Sequence, residues 1–485
     1  MNRASVVWSA VRNWGQRLGA VLTFFVLVRL LTQQEIAIFA AAAAVMALLD
    51  LFTDNGLGDS VVQAKAVPPA VSTALLVINL GIALLLYLGV QMFAEQISVF
   101  LGIEGAENVL RVAAIVLPLN SISFVPQALM RKEFQFKRLA MRSLAATVLS
   151  AVVGIVMAAG GLGVWSMVAQ FLVFGAVNAV MAWHPPILKP ARPAFAASAP
   201  FIKFGSRVFA TRILYYSSTR VMEILLPVLF GPTALAIYFM SVRLPAVLSQ
   251  LLVTVVTDLG LPSFSKLADD PDALIDAFYN NLIFAAGVSV PAFFLLGALA
   301  PEITWVAFGE NGRGSEHLLL PLAIVSAFQS VGAYNQIVLN SRGMSGISLW
   351  LSLANAALAM VVFYVARNTD LYTFIYAYAL SQCILIPLYF FVGGHFSGIS
   401  FRRLVRIISP YFASSSLSLA VVWLVRAYFE GWSSPIPGNA VMHDIVAGVS
   451  LGVVFGVVYI ASLLTLDRNA AMTICRQLMR REKAA

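Results

Sequence analysis

The chain is poor in charge. Asp, Glu, Lys and Arg make up 11% of its 485 residues, against roughly a quarter in an ordinary soluble domain. It is nearly without cysteine: Cys383 and Cys475 stand alone, too few for a disulfide framework or a thiolate cluster. The four histidines, His184, His317, His395 and His443, fall in or at the edge of predicted connections and never at metal-ligand spacing. No GxxxxGK(S/T) phosphate loop is present, and little of the chain is polar enough to build an extramembrane domain. These absences exclude a nucleotide-binding cassette, a large periplasmic catalytic domain and a soluble sensor. They exclude a soluble enzyme, and neither cofactor nor metal is expected; the chain reads as a protein that is not an enzyme, with a membrane polymerase as a lesser alternative.

What is abundant is apolar sequence, with 60% hydrophobic residues and a mean hydropathy of +0.88. A helix needs about 20 such residues to cross roughly 30 Å of hydrocarbon. Windows of about 19 residues predict an all-α membrane protein with about 14 spans, near 13–32, 36–57, 71–93, 109–130, 139–159, 162–183, 203–230, 233–262, 277–299, 317–340, 346–366, 371–392, 407–428 and 441–465. The apolar run from Leu18 to Leu31 has no A-x-A site after it, so it reads as a first span rather than a cleaved leader. An even number of spans puts both termini on one side.

Charge orients the bundle. With the termini inside, cytoplasmic flanks collect 23 of the 31 basic residues, among them Arg131, Lys132, Lys137, Arg138, Arg142, Lys189, Arg192, Arg402, Arg403 and Arg406. The opposite flanks hold Arg29, Arg111, Arg313, Arg367 and Arg426 beside acids such as Glu95, Glu302 and Glu316. The positive-inside rule therefore predicts cytoplasmic termini. The net charge of +9 is accounted for by basic loops facing anionic lipid, without nucleic acid. An Asp269-Asp270-Pro271-Asp272 run reads as a solvated loop on that same side.

Prolines 185, 186, 190, 193 and 200 crowd the stretch 185–200, an expected extended cytoplasmic linker. It separates an N-terminal six-helix lobe, 1–184, from a C-terminal one, 201–392. Helices 13 and 14 follow over 393–466, and 467–485 is a basic tail. The lobes echo each other. Trp14-Gly15-Gln16-Arg17-Leu18 resembles Phe204-Gly205-Ser206-Arg207-Val208, and Thr53-Asp54-Asn55-Gly56-Leu57 resembles Thr257-Asp258-Leu259-Gly260-Leu261. Repeats with an even number of spans are parallel copies related by a pseudo-two-fold axis along the membrane normal.

Charges inside the spans are the informative residues, because each costs about 2.5–3.5 kcal/mol near the bilayer centre even on the lenient scale. Span seven carries Arg212, Tyr216 and Arg220 at steps of four, with Glu223 beyond; span eight carries Arg243; span one carries Arg17. Arg17, Arg212, Arg220 and Arg243 form a candidate site for an anionic headgroup, since the guanidinium fork binds phosphate bidentately and keeps its proton. The alternative is internal pairing, Arg220 with Glu223 and Arg243 with a neighbouring acid. Asp50, Asp54, Glu223 and Asp258 are candidates for gating or ion coupling. Asp54 and Asp258 also suit turns beside a helix-end glycine, and Asp50 suits either a proton carrier or an arginine's partner. Asn120, Gln127, Gln170, Asn178, Gln329 and Asn335 add polar groups within spans.

Several stretches resemble the Wzx polysaccharide-repeat flippases, particularly the WzxC-like branch. They are Arg29-Leu30-Leu31-Thr32 with Phe39; Leu51-Phe52-Thr53-Asp54-Asn55-Gly56-Leu57-Gly58 with Val62-Gln63; Arg131-Lys132-Glu133-Phe134-Gln135-Phe136-Lys137-Arg138-Leu139; Gly161-Leu162-Gly163-Val164-Trp165; and Val242-Arg243-Leu244-Pro245 before Leu261-Pro262-Ser263-Phe264. The resemblance spans roughly residues 8 to 400 and implies the multidrug/oligosaccharidyl-lipid/polysaccharide exporter superfamily. It implies alternating-access transport of an undecaprenyl-diphosphate-linked oligosaccharide across a bacterial inner membrane, for exopolysaccharide, capsule or O-antigen (lipopolysaccharide) synthesis. H+ or Na+ would be the coupling ion, and a polysaccharide polymerase or chain-length regulator a partner. Arg17 and Arg243 match cavity arginines of the related lipid II flippases, but Leu49 and Asp50 stand where those carry arginines late in span two, which favours another glycan. A lipid II flippase, a cation-coupled drug exporter and a membrane glycan polymerase are the other readings.

Overall fold

The computed structural model describes residues 3–53, 55–184, 186–266, 271–341, 345–428 and 440–467, with the side chains of 3–13, 210–212, 214–221, 253–266, 271–274, 284, 333–337, 340–341, 345, 348–349, 352, 396–397 and 440–443 outside that description. The helices are α1 (Arg3–Leu30), α2 (Gln33–Thr53), α3 (Leu57–Gln63), α4 (Pro69–Leu101), α5 (Ala106–Ala113), α6 (Val116–Lys132), α7 (Phe136–Ala159), α8 (Val164–Ala182), α9 (Phe195–Phe230), α10 (Pro232–Lys266), α11 (Pro271–Ala298), α12 (Ala300–Phe308), α13 (Ser315–Ser341), α14 (Ser345–Ala366), α15 (Leu371–Ser397), α16 (Phe401–Tyr428) and α17 (Ala440–Leu466). No strand occurs among the described residues.

Every expected span coincides with helix, the fourth as α5 followed by α6. Among the described residues, ten of these helical segments are long and apolar enough to cross a membrane. The spans expected from α1, α9, α13 and α14 are helical and run over residues whose side chains lie outside the description. The chain is a multi-pass membrane protein, and its surface says the same. On α4, Leu85, Met92 and Val99 follow one another at steps of seven and are 71%, 72% and 76% exposed, while Ala83, Val90 and Ala94 are buried. One stripe of a helix that is apolar and bare suits lipid rather than water.

The described chain divides by internal contact into two units, Met1–Phe239 and Met240–Ala485. In the first, Ala40, Ala41, Met46, Leu110, Leu117 and Leu235 form one buried core. Helix α1 lies close on α7 because Gly15 and Gly19 sit four apart: a Cβ on either would stand 2.5–2.6 Å from Leu144 Cδ2 or Thr147 Cγ2. Such small-residue spacing lets helix backbones approach in membranes, where packing rather than water exclusion drives association. In the second unit, Phe278, Phe293, Tyr411, Val422 and Phe455 anchor α11, α16 and α17 to one another. Helix α15 starts on the Asp370 carboxylate, which accepts from the Tyr372 and Thr373 amides at 3.0 and 3.1 Å. The Thr373 hydroxyl first and these amides next hold that carboxyl below its ordinary range.

The proline-rich segment, expected as an extended linker, is helical from its last third. Helix α9 begins at Phe195, inside it, as the alanines at 194, 196, 197 and 199 favour. The residues before it are strapped to α4: the Ala191 amide donates to Thr73 Oγ1 at 3.2 Å and the Ala194 amide to Ala70 O at 3.1 Å. Leu188 is buried with Val71, Leu75 and Leu129. Helix α9 in turn packs on α2, α3 and α4 within the first unit.

Candidate functional site

The expected site residues fall as follows. Arg17 is half-buried on α1 and Arg243 half-buried on α10, each within a helix of mainly apolar neighbours. Glu223 is half-buried near the end of α9. Arg212 and Arg220 lie on the helical backbone of α9 with side chains outside the description, and Asp54 lies outside the described residues. Asp258 needs a correction. It was expected to close a turn at the end of span eight, yet α10 continues through Gly260 to Lys266. A glycine inside a helix costs about 1 kcal/mol, too little to stop it. The echo between 53–57 and 257–261 is therefore one of sequence and not of backbone, because at Gly56 the chain does turn.

At that turn Gly56 has φ 74° and opens α3. A Cβ there would lie 2.5 Å from the carbonyl oxygen of Gly205, and one on Gly205 would lie 3.1 Å from Asn55 O and Leu57 N. Two motifs singled out from the sequence thus meet backbone to backbone, with the Phe52 and Phe209 rings 5.3 Å apart beside them.

Two neutral side chains donate to Asp50. Asn120 Nδ2 donates to both of its carboxylate oxygens at 3.3 Å, and Thr53 Oγ1 donates to Asp50 Oδ1 at 3.2 Å. From Asn120 a polar chain runs along α6. Ser123 Oγ donates to Asn120 O at 2.9 Å, and Gln127 Nε2 donates to Ser123 Oγ at 2.8 Å.

This chain borders a polar cavity of about 290 Å3 within the first unit. Its polar wall comes from Gln16 of α1, Asn120, Ser123, Gln127 and Arg131 of α6, Arg142 and Ser143 of α7, and Asn178 of α8. Arg142 is 3% exposed, an unusual burial for an arginine, and no carboxylate lines the cavity among the described residues. The sequence places Arg131 and Arg142 merely on a basic flank. What brings them together is the turn at 133–135, where Gln135 N donates to Met130 O at 2.9 Å and folds α7 back beside α6. The only signal in the sequence is that Asn120, Gln127 and Asn178 are polar residues inside spans. Among the described residues, no group of three or more His, Cys, Asp or Glu side chains is placed to hold a metal.

A helical membrane bundle whose described interior holds a buried arginine, Arg142, and amides around a polar cavity has a transporter-like architecture. The chain belongs to the polysaccharide biosynthesis protein family, whose sequence profile matches residues 26–313. It is 23% identical over 472 residues to the succinoglycan biosynthesis transport protein ExoT of Rhizobium meliloti (strain 1021), covering 96% of this chain and 93% of that protein. It is 24% identical over 313 residues to the lipopolysaccharide biosynthesis protein WzxC of Escherichia coli (strain K12), 63% of each chain. In fold it is similar to the lipid II flippase MurJ in an inward closed conformation, with a TM-score of 0.74 at 11% identity over 95% of this chain and 100% of that one. An inward-facing multidrug resistance MATE transporter of the MOP superfamily follows with a TM-score of 0.62 at 14% identity, over 80% and 96%.

Proposed function

We propose that this protein is a flippase. It moves an undecaprenyl-diphosphate-linked oligosaccharide from the cytoplasmic to the periplasmic leaflet of a bacterial inner membrane, by alternating access of two six-helix lobes. The observation that carries the reading is the similarity, over nearly the whole length of both chains, to a succinoglycan transport protein, in a chain of the polysaccharide biosynthesis protein family. Arg17 and Arg243, half-buried on α1 and α10, are the cations to which an anionic cargo would come, since the guanidinium fork binds phosphate bidentately. A diphosphate is such an anion, while the polyprenyl tail stays in lipid. Arg17, Arg212, Arg220 and Arg243 bind the headgroup; Asp50, Asp54, Glu223 and Asp258 serve gating or coupling to H+ or Na+. A drug exporter for cations would instead present acids and aromatics to its cargo.

The direct test is deletion. Cells lacking the protein should accumulate a lipid-linked oligosaccharide on the cytoplasmic leaflet, and the glycan extracted from it identifies the cargo. Normal surface polysaccharide with no accumulated intermediate would reject the reading. Orientation is tested separately. Alkaline phosphatase fused after residues 195 and 485 should be inactive and after residue 312 active, whereas activity at 195 would reverse the topology.

A further inference from the structure

We infer that the cavity within the first unit is a glycosyl phosphate site, with Arg131 and Arg142 holding the phosphate and the amides of α6 and α8 reading the attached sugar. The inference rests on the flippase reading and assigns part of its cargo to residues outside the arginine set named for it. The argument begins with orientation. Asn120 Nδ2 faces a carboxylate and Asn178 Nδ2 donates to Phe174 O at 2.9 Å; both partners only accept, so the nitrogens are fixed. Ser123 Oγ spends its proton on Asn120 O, so Gln127 must donate to it through Nε2. Each amide therefore keeps its carbonyl oxygen, an acceptor, for something else.

The wall thus combines two guanidinium cations with three amide acceptors. A bare phosphate would engage the guanidinium groups and leave the amide oxygens idle; a neutral sugar would engage only the amides. A sugar carrying a phosphate offers oxyanion oxygens to the arginines and hydroxyl donors to the amides. Size agrees. About 290 Å3 lies at the lower end of ligand cavities, which run from about 300 to 1,000 Å3, room for one phosphorylated sugar and not for a whole repeat unit. Arg131 stands in the last turn of α6 and Arg142 in the second turn of α7, so the cavity is at the end of the unit that charge orients to the cytoplasm, where lipid-linked sugars are assembled. That chemistry has two sources, the first sugar and phosphate of a lipid-linked glycan, or a soluble sugar phosphate.

The full chain in lipid nanodiscs is titrated calorimetrically with glucose 1-phosphate, inorganic phosphate and glucose, with and without undecaprenyl-diphosphate-linked N-acetylglucosamine in the disc. Glucose 1-phosphate should bind at least tenfold more tightly than inorganic phosphate or glucose. Arg142→Gln or Arg131→Gln should weaken it at least tenfold. Asn178→Leu and Gln127→Leu should erase the preference over inorganic phosphate. Arg131 is the second arm should Arg142→Gln misfold, because it is only half-buried. Competition by the lipid-linked sugar identifies the cargo as the occupant; binding untouched by it identifies the soluble source, and both support the site. Equal binding of the three probes, or unchanged glucose 1-phosphate binding in both arginine variants, would overturn it. Failure here with a lipid-linked intermediate still accumulating in the deletion strain removes the site alone; binding without accumulation removes the flippase reading alone.

Discussion

Arg426 of α16 reaches Glu302 of α12 with Nη2 at 2.8 Å from both carboxylate oxygens, and the same nitrogen donates to Ala298 O at 3.1 Å. The two side chains are 28% and 12% exposed, so the pair is largely withdrawn from water and fastens the helix added after the expected lobes onto α12. Glu302→Gln should lower stability by about 1–3 kcal/mol, because it leaves the Arg426 cation with neutral acceptors in place of a carboxylate. Glu302→Gln with Arg426→Gln should recover much of it. Thermal unfolding of the purified protein checks both, and a double variant no better than the single would mean that the loss comes from the missing carboxylate and not from an uncompensated cation.

A similar logic applies inside the first unit. Asn120→Leu removes a hydrogen-bond donor from the Asp50 carboxylate and should cost about 1–3 kcal/mol. Asp50→Asn in that background removes the charge, and a regain of stability would show that the task of the Asn120 amide is to hold it. If transport, read as disappearance of the lipid-linked intermediate, also returns in the double variant, Asp50 serves the fold and not ion coupling.

Gly56→Ala should be among the most damaging small substitutions in the chain. A left-handed backbone costs a residue with a Cβ about 1–2 kcal/mol, and this Cβ would also meet Gly205 O at 2.5 Å. Gly205→Ala has an ordinary helical backbone to accept it but still presses on Asn55 and Leu57. The expected order of melting temperatures is wild type, Gly205→Ala, then Gly56→Ala; the reverse order would show that the turn tolerates the methyl group and that α9 does not.

Arg243→Ala should abolish transport with normal membrane insertion. Arg243→Lys should restore part, since an ammonium keeps the charge and loses the fork. Full activity of the alanine variant at normal protein level would exclude Arg243 from the substrate path.

Much of the architecture is already fixed by composition. With 60% hydrophobic residues, about 20-residue apolar runs leave the backbone no way to satisfy itself in lipid except as helix, and every expected span is helical. Helix ends differ from the expectation: α9 starts inside the proline-rich stretch and α10 runs past Gly260, because a proline near a helix start or a lone glycine changes the local energy less than the packing around it. Charge patterning likewise singles out Arg17, Asp50 and Arg243 as residues out of place. Sequence alone could not tell which polar groups share a wall. Arg131 and Arg142 look like any basic flank until the turn at 133–135 sets α7 against α6, and Asn120 lies 70 residues from the carboxylate it serves. Hydropathy depends on each residue's own transfer free energy and is additive along the chain. A cavity depends on which residues distant in sequence become neighbours, and that is decided only when Gly15 and Gly19 let α1 close on α7 and the helices assemble.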